Sequence, residues 1–202
     1  MDSPLLQIGL LLLIGYIFYL WLSDLKAFRG GIPNSGALPG ALPCGKSIVI
    51  WGTMGAIILV IVETAGESLL GVSSEQTSMT VLFALVAIAS GFGEELIFRG
   101  YLVVQHRGRG ILWLSIFGFS LLFALVHPYL WEWEDGTLVM KFSAKAWFST
   151  GIVFVNSLWF YVLRFSKSNP GRSLWPCILA HATSNAAVFL TKFVQGHVSA
   201  WY

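Results

Sequence analysis

The stretch Met79-Thr-Val-Leu-Phe-Ala-Leu-Val-Ala-Ile-Ala-Ser-Gly-Phe-Gly-Glu-Glu-Leu-Ile-Phe-Arg-Gly100 decides the fold of this chain. It is apolar over most of its length and reaches the roughly 20 residues that a helix needs to cross a bilayer. Its second half nevertheless carries two adjacent acids, Glu94 and Glu95. A charge in hydrocarbon is costly unless it is paired or hydrated, so acids in such a place indicate a functional site. The sequence therefore predicts a membrane protein whose chemistry is centred on Glu94.

The composition of the whole chain agrees with this interpretation. Of 202 residues, 56% are hydrophobic and only 11% are charged, whereas soluble domains carry roughly a quarter charged residues. Apolar stretches of spanning length lie at about Pro4–Ser23, Ser47–Thr64, Met79–Phe98, Ile111–Leu130, Ala146–Phe165 and Leu174–Val194. The sequence therefore predicts an all-α integral membrane bundle of about six transmembrane helices. We expect one domain over residues 1–202, with a motif-bearing core at about 79–194.

The loops between the predicted spans alternate in charge, which predicts the orientation in the membrane. Basic residues follow the odd-numbered spans, at Lys26, Arg29, Lys46, Arg107, Arg109, Arg164, Lys167 and Arg172. Acidic residues follow the second and fourth spans, at Glu63, Glu67, Glu75, Glu132, Glu134 and Asp135. Because basic loops are retained in the cytoplasm, both termini are predicted to lie outside it. The start, Met1-Asp-Ser-Pro4, has no basic segment, so we expect a retained first helix and not a cleaved signal peptide.

The composition also disfavours two classes of function. The net charge of +2 is too small to indicate a nucleic-acid partner, and no basic stretch is interleaved with aromatic residues. Cys44 and Cys177 are too few for a disulfide framework and have no metal-ligand spacing. The expected surroundings are the lipid bilayer, without nucleic acid.

The acidic segment contains two kinds of carboxylate. Glu95 precedes Arg99 by four residues, the favourable order for an intrahelical ion pair, although such a pair could serve only to fix helix packing. Glu94 is rotated by about 100° from Glu95 on a helix, so it is free to face a cavity. The alternative for Glu94 is an acid at a water-exposed helix end. Gly91 and Gly93 remove side chains just before it and could admit a neighbouring helix or a substrate backbone.

Two later spans carry imidazoles. His127 precedes Pro128, which cannot donate a backbone hydrogen bond, so the fourth helix is predicted to kink or end there and to free carbonyl groups. His181 and Asn185 are four residues apart and share one face of the last span. Taken singly, each could be a packing residue or an interhelical hydrogen-bonding group.

The depth of these residues in the bilayer can be compared through the turn Arg107-Gly-Arg-Gly110. At 1.5 Å per residue, Glu94 and His127 both lie roughly 20 to 26 Å from that turn. His181 and Asn185 start from the same membrane side and lie roughly 13 to 20 Å along their helix. The sequence therefore predicts that all four side chains converge inside the bilayer.

Three ordered motifs resemble those of a known family. The segments Glu94-Glu-Leu-Ile-Phe-Arg99, Phe123-Ala-Leu-Val-His127 and His181-Ala-Thr-Ser-Asn185 are similar to the motifs EExxxR, FxxxH and HxxxN of the CAAX protease and bacteriocin-processing (CPBP) family. That family includes the type II CAAX prenyl endopeptidases, which are intramembrane proteases. The resemblance extends from about Gly91 to Ala187 and leaves out the first helix and the loop after it.

The resemblance implies an intramembrane endopeptidase that hydrolyses a peptide bond of a membrane-associated peptide or protein. Glu94 would be the general base, and His127 would help it to hold and activate a water molecule. His181 and Asn185 would donate hydrogen bonds to the oxyanion that forms as water adds. The supporting residues would be Glu95, Arg99 and Phe123.

The resemblance leaves the cofactor open, because this family has been described both as metal-dependent and as glutamate-dependent. Glu94, His127 and His181 could ligate a divalent ion such as zinc. The chain lacks the HExxH helix that soluble zinc proteases use, and zinc usually prefers imidazole, acid or thiolate ligands over a side-chain amide. We therefore predict a mechanism without a metal cofactor.

The sequence also leaves alternatives open for the substrate and for the class of function. The chain is shorter than the eight-helix prenyl endopeptidases it resembles, so a prenylated CAAX substrate and a bacteriocin-like or membrane-anchored peptide are both compatible. One rival function is a proton or cation transporter, because intramembrane acids and imidazoles mark such pathways. No second copy of the Glu-Glu segment indicates the repeat that is typical of transporters. Another rival is a catalytically idle immunity or peptide-binding protein, although the intact catalytic side chains argue against it.

Overall fold

The structure is a computed structural model that describes residues 3–202. Within them, six helices are long and apolar enough to cross a membrane, which confirms the predicted all-α bundle. They are α1 (Pro4–Arg29), α2 (Lys46–Leu69), α3 (Val81–Glu95) together with its continuation to Leu102, α4 (Arg109–Val126), α5 (Ala144–Phe165) and α6 (Trp175–Val194). The other elements are a π-helical segment that continues α3 (Leu96–Leu102), two 3-10 turns (Ser73–Glu75 and Pro128–Leu130), and strands β1 (Trp131–Glu134) and β2 (Thr137–Met140). Met1 and Asp2, on which the prediction of a retained first helix partly rests, lie outside the described residues.

Helix α6 is the packing centre of the bundle. It packs against α2, α3 and α5, while α1 packs on α3 and α4 packs on α5. A glycine permits one close approach, because a Cβ atom on Gly91 of α3 would lie 3.1 Å from the His181 ring of α6. Gly91 therefore admits a neighbouring helix, as predicted. At Gly93, by contrast, a Cβ atom would meet nothing within 4 Å among the described residues.

The surface of the bundle has the polarity of a membrane protein. Large apolar side chains such as Leu12, Trp51 and Trp113 are exposed on the outside of the helices. Charged side chains such as Glu95 and Arg99 are buried between the helices. An apolar exterior is suited to lipid, and buried charges are tolerated because they find partners inside the bundle. The orientation with both termini outside the cytoplasm stays a prediction.

The fourth helix ends at the proline, as predicted. α4 stops at Val126, His127 has extended backbone dihedrals (φ −73°, ψ 145°), and Pro128 opens a 3-10 turn. The helix end frees carbonyl groups for side-chain donors. One of them, the carbonyl of Leu125, accepts a hydrogen bond of 2.6 Å from the indole of Trp131.

The acidic loop after α4 is a β-hairpin, which the sequence analysis did not predict. β1 and β2 pair antiparallel, with Glu134 opposite Thr137. Asp135 and Gly136 form the two-residue turn, and both have positive φ angles. Asp-Gly is a strong signal for such a turn. The hairpin could therefore have been predicted from the sequence, where these residues were interpreted only as an acidic loop.

Helix α2 is longer than predicted. It runs to Leu69 instead of ending near Thr64, so Glu63 and Glu67 belong to its last turns and not to an acidic loop. Glu67 is buried and forms an ion pair with Lys145 of α5. A buried acid is tolerated in a helix when a distant part of the chain supplies its partner. Hydropathy along the chain does not reveal such a partner.

The Gly- and Pro-rich segment between α1 and α2 packs against the start of α6. Trp21 Nε1 donates a hydrogen bond of 3.0 Å to the carbonyl of Pro39, and the amide of Leu174 donates one of 3.0 Å to the carbonyl of Gly40. Gly40 has a φ of +66°, and a Cβ atom on it would lie 2.9 Å from Leu174 N and 2.5 Å from Arg164 Nη1. Glycine is therefore required both by the backbone conformation and by the space.

We predict that Gly40→Ala destabilises the protein. The left-handed backbone and the contact with Leu174 N together should lower the free energy of unfolding by at least about 2 kcal/mol. The matched control is Gly36→Ala in the same loop, where a Cβ atom would meet only Asn34 Oδ1 at 3.7 Å. Thermal unfolding in detergent, followed by tryptophan fluorescence, measures both variants. Equal melting temperatures for the two variants would contradict the packing described for this loop.

Candidate active site

An ion pair that lies wholly inside the bundle forms the base of the site. Glu95 Oε1 is 3.2 Å from Arg99 Nη1, and neither side chain has exposed surface. The predicted pair is therefore present. It crosses the junction between α3 and the π-helical segment Leu96–Leu102, which the sequence analysis did not predict. Such π-helical segments occur often at functional sites.

Arg99 receives most of its remaining partners from other helices. Its Nη2 donates to Ser157 Oγ at 2.6 Å and to the Ser157 carbonyl at 3.1 Å. Ser157 Oγ in turn donates to Ser120 Oγ at 3.0 Å. Four aromatic rings lie 4.7–5.9 Å from Arg99 Cζ, namely those of Phe98, Phe123, Phe160 and Tyr161. Hydrogen bonds and cation–π contacts thus replace part of the hydration that the guanidinium loses, while its Nε has no hydrogen-bond partner within residues 3–202.

His181 connects the two glutamates. Its Nδ1 lies 2.8 Å from Glu95 Oε1, and its Nε2 lies 3.7 Å from Glu94 Oε2. An ionised carboxylate can only accept a hydrogen bond, so Glu95 places a proton on Nδ1. Phe160 stacks on the imidazole with 4.8 Å between ring centroids. Glu95 and Phe160 together orient His181 so that Nε2 faces Glu94.

Glu94 holds the less restrained carboxylate. Its side chain keeps 31% of its surface exposed, whereas that of Glu95 has none. Its Oε2 atom is buried and accepts no hydrogen bond within residues 3–202. The two acids thus differ in exposure and in partners, although both reach the same imidazole. Glu94 Oε2 is an acceptor to which a water molecule could donate.

Phe123, in the last turn of α4, and His127, just past its end, face this cluster. His127 donates from Nδ1 to the carbonyl of Phe123 at 2.6 Å. The Phe123 ring lies 4.6 Å from the His127 ring, 6.0 Å from the His181 ring and 4.7 Å from Arg99 Cζ. His127 lies just past the end of α4, where burial lowers its pKa and so favours the neutral imidazole, while the hydrogen bond to the Phe123 carbonyl and the carboxylate of Glu94 oppose this shift. The four-residue spacing of the FxxxH motif thus places the Phe123 ring and carbonyl in contact with the His127 imidazole.

Asn185 takes part in helix packing. It lies one turn beyond His181 on α6, and its Nδ2 donates to the carbonyl of Ala87 in α3 at 2.7 Å. The amide is thus engaged with backbone in this structure. Its role as an oxyanion donor stays a prediction and would use the second N–H of the same amide.

A small cavity lies beside the two histidines. Its volume is about 90 Å³, which is room for a few water molecules. Its walls include the predicted site residues Phe123, His127, His181 and Asn185. Glu94 does not line this cavity, but its Oε2 lies 3.7 Å from Nε2 of His181, which does.

Sequence analysis missed several residues of this cavity. They are Glu63, Tyr129, Ile152, Val153, Asn156, Phe160, Ser184 and Val188. Among them, Asn156 carried a usable signal, because it is an amide inside an otherwise apolar span. Glu63 was assigned to a loop, and the apolar residues gave no signal of their own.

A larger cavity of about 320 Å³ borders the small one. The two share walls formed by Glu63, Tyr129 and Val188. The larger cavity holds a second charged cluster, in which Glu67 pairs with Lys145 and Lys192 Nζ donates to the carbonyl of Thr77 at 2.5 Å. Charged walls favour hydration, so this cavity is a water-accessible approach to the histidines.

The residues do not form a ready metal site. Within the described chain, no three His, Cys, Asp or Glu side chains are arranged to hold a metal ion. In the alternative ligand set of Glu94, His127 and His181, each imidazole has its Nδ1 bonded to protein. We derive no step through a metal, and the metal-free reaction stays a prediction.

Comparison with protein families points to the same residues. The family model described as Type II CAAX prenyl endopeptidase Rce1-like matches residues 76–187, which is more than half of the chain and includes all three motifs. The chain belongs to this family. The predicted resemblance to CAAX-type proteases is thereby confirmed, and this Rce1-like protein is a member of a protease family. Comparisons with curated proteins and with solved structures gave no match.

We predict that Arg99→Met strongly destabilises this Rce1-like protein. The substitution leaves the buried carboxylate of Glu95 without its guanidinium, a change that costs about 3 kcal/mol or more. The control is Lys141→Met, which breaks the exposed pair with Glu132 (38% and 51% exposed) and should cost about 1 kcal/mol at most. Thermal unfolding in detergent compares the two. An Arg99 variant as stable as the Lys141 variant would show that the buried pair does not hold the site together.

Proposed function

We propose that this Rce1-like protein is an intramembrane endopeptidase in which Glu94 activates a water molecule. The observation that carries the proposal is the position of His181 between two unlike carboxylates. Glu95 is fully buried and its Oε1 is bound to Arg99 and to the Nδ1 atom of His181, whereas Glu94 keeps 31% of its side-chain surface exposed. The Oε2 atoms of both acids have no hydrogen-bond partner within residues 3–202, but only Glu94 can be reached by water. One acid is thus suited to orientation and the other to proton transfer, a division that is typical of paired catalytic acids.

The proposed reaction consumes one water molecule. Glu94 accepts a proton from the water as the water oxygen bonds to the carbonyl carbon of the peptide, and the carbonyl π electrons move onto oxygen. The resulting oxyanion collapses, the carbonyl reforms, and the carbon–nitrogen bond breaks. The departing nitrogen takes the proton that Glu94 received, so the carboxylate is ionised again at the end of the cycle.

The two imidazoles are proposed to act on opposite sides of this step. Because His127 donates from Nδ1, its Nε2 is an acceptor that can take one hydrogen bond from the water while Glu94 takes the other. His181 would donate to the oxyanion when its Nε2 carries a proton. Its ring plane is already set by Glu95 and by the stacked ring of Phe160.

The substrate is proposed to be a membrane-associated peptide of the CAAX type. Family membership supports this class, and the burial of the site between six candidate membrane spans supports a substrate that is held at the membrane. The 320 Å³ cavity is within the size range of ligand sites and could hold a short extended peptide segment. A bacteriocin-like or membrane-anchored peptide is the alternative, which a comparison of prenylated and unprenylated peptides distinguishes.

We predict that Glu94→Gln lowers the rate of peptide cleavage at least about 100-fold, because the amide cannot accept the proton of water. The assay uses the full-length protein in detergent, with farnesylated and unprenylated CAAX peptides, and detects the released C-terminal fragment by mass spectrometry. Glu132→Gln, at an exposed glutamate of the hairpin, is the matched control and should cleave like the wild type.

Three outcomes have different meanings in this assay. Wild-type cleavage by the Glu94 variant would remove the proposed general base. A wild type that binds the peptides without cutting them would support the idle, peptide-binding alternative. Glu94-dependent proton or cation flux in proteoliposomes, without any cleavage, would support a transporter.

We predict that chelation leaves cleavage unchanged. Prolonged incubation of the purified protein with EDTA or 1,10-phenanthroline should alter the cleavage rate by less than about twofold, because the proposed reaction needs only a carboxylate and imidazoles. Metal analysis of the treated and untreated protein accompanies the assay. Activity that disappears with the chelator and returns with zinc would show that Glu94, His127 and His181 serve a metal instead.

A further inference from the structure

Asn156 of α5 is a buried amide to which the mechanism above gives no role. Only 9% of its surface is exposed, and it lines the small cavity together with His127, His181 and Asn185. Its Oδ1 is buried without a hydrogen-bond partner, and within residues 3–202 no hydrogen bond of its side chain is found. Leaving such a group unsatisfied costs about 1–3 kcal/mol. The Nδ2 atom of the same amide also donates to no group within residues 3–202, so Asn156 offers both an acceptor and a donor to whatever occupies the cavity.

Helix geometry places this amide near the reacting groups. Asn156 and Phe160 are four residues apart, so they share one face of α5 and lie about 6 Å apart along its axis. Phe160 stacks directly on the His181 imidazole. Because the shared cavity holds only about 90 Å³, a carbonyl group that is bound to Asn156 also lies close to His181.

The imidazoles and the other amide of the cavity each have at least one hydrogen bond or ionic contact to protein. Asn185 donates to a backbone carbonyl of α3, and His127 donates from Nδ1 to the carbonyl of Phe123. His181 has one nitrogen on Glu95 and the other toward Glu94. Among the two amides that line this cavity, Asn156 is therefore the one with neither N–H committed to protein.

We propose that Asn156 donates a hydrogen bond from Nδ2 to the carbonyl oxygen of the scissile peptide bond and stabilises the oxyanion. The proposal rests on the endopeptidase function proposed above and assigns to α5 a donor that the family motifs do not contain. As the water oxygen bonds to the carbonyl carbon, the π electrons move onto the oxygen that the amide already contacts. A neutral amide suits this task because it makes the bond before the charge develops and strengthens it afterwards.

The test compares Asn156→Leu with the wild type in the detergent assay. Leucine has a similar volume but no donor, so we expect kcat to fall by about 100- to 1,000-fold with KM changed by less than about threefold. Val155→Ala, at the neighbouring and partly exposed position of α5, is the control and should keep the wild-type kcat. Melting temperatures of all variants are measured in parallel.

Two ligands separate a role in the transition state from a structural role. A peptide phosphonamidate, whose anionic tetrahedral phosphorus group mimics the intermediate, should lose affinity for Asn156→Leu by about the factor lost in kcat/KM. The product peptide with a free carboxylate should bind both proteins equally. If both ligands lose affinity together, or the melting temperature falls with the activity, Asn156 only maintains the cavity and the proposal is overturned.

The Glu94 variant distinguishes the failure of this inference from the failure of the proposed function. If Glu94→Gln is inactive and Asn156→Leu cleaves at the wild-type rate, the endopeptidase stands and the role of Asn156 is wrong. If both variants cleave at the wild-type rate, the catalytic site itself has been misplaced.

Discussion

The burial of the Arg99 guanidinium inside a membrane bundle is the constraint on which the site depends. A guanidinium cannot lose its charge under ordinary conditions, so the surrounding helices must supply the ionic, hydrogen-bonding and aromatic contacts that compensate for the lost water. Glu95 comes from the same helix, Ser157 from α5, and the Phe123 ring from α4. Because these partners belong to three helices, satisfying one charge also fixes the relative positions of the elements that carry the chemistry.

The same constraint separates the functions of two adjacent acids. Glu95 is held between Arg99 and His181 and has no exposed surface, and this leaves Glu94 as the partly exposed acid beside the imidazole. Arg99 contacts Glu95, Glu95 contacts His181, and His181 lies beside Glu94. The buried ion pair therefore restrains the imidazole next to the proposed water site. A carboxylate that binds one ring nitrogen commonly sets the orientation and tautomer of a catalytic histidine.

Much of the site could be predicted because its residues interrupt an apolar pattern. Glu94, Arg99, His127 and His181 each stand out in a span, and Pro128 marked the end of α4 correctly. The π-helical segment could not be predicted, because residues 96–102 have no proline or other local signal that distinguishes them from an α-helix. The full length of α2 could not be predicted for a related reason. The acids at its end are typical of a loop, and the partner of Glu67, Lys145, lies 78 positions away in the sequence.

By itself, the sequence determined that the chain has six apolar helices and that the acids, imidazoles and their motifs lie within or next to three of them, because hydropathy and spacing are local properties. Only the tertiary structure decided that His181 faces both glutamates, that Asn185 is engaged with α3, and that Asn156 lies at the cavity. These arrangements depend on the rotation and axial register of each helix. Both are set by side-chain packing across the whole bundle and not by any one segment.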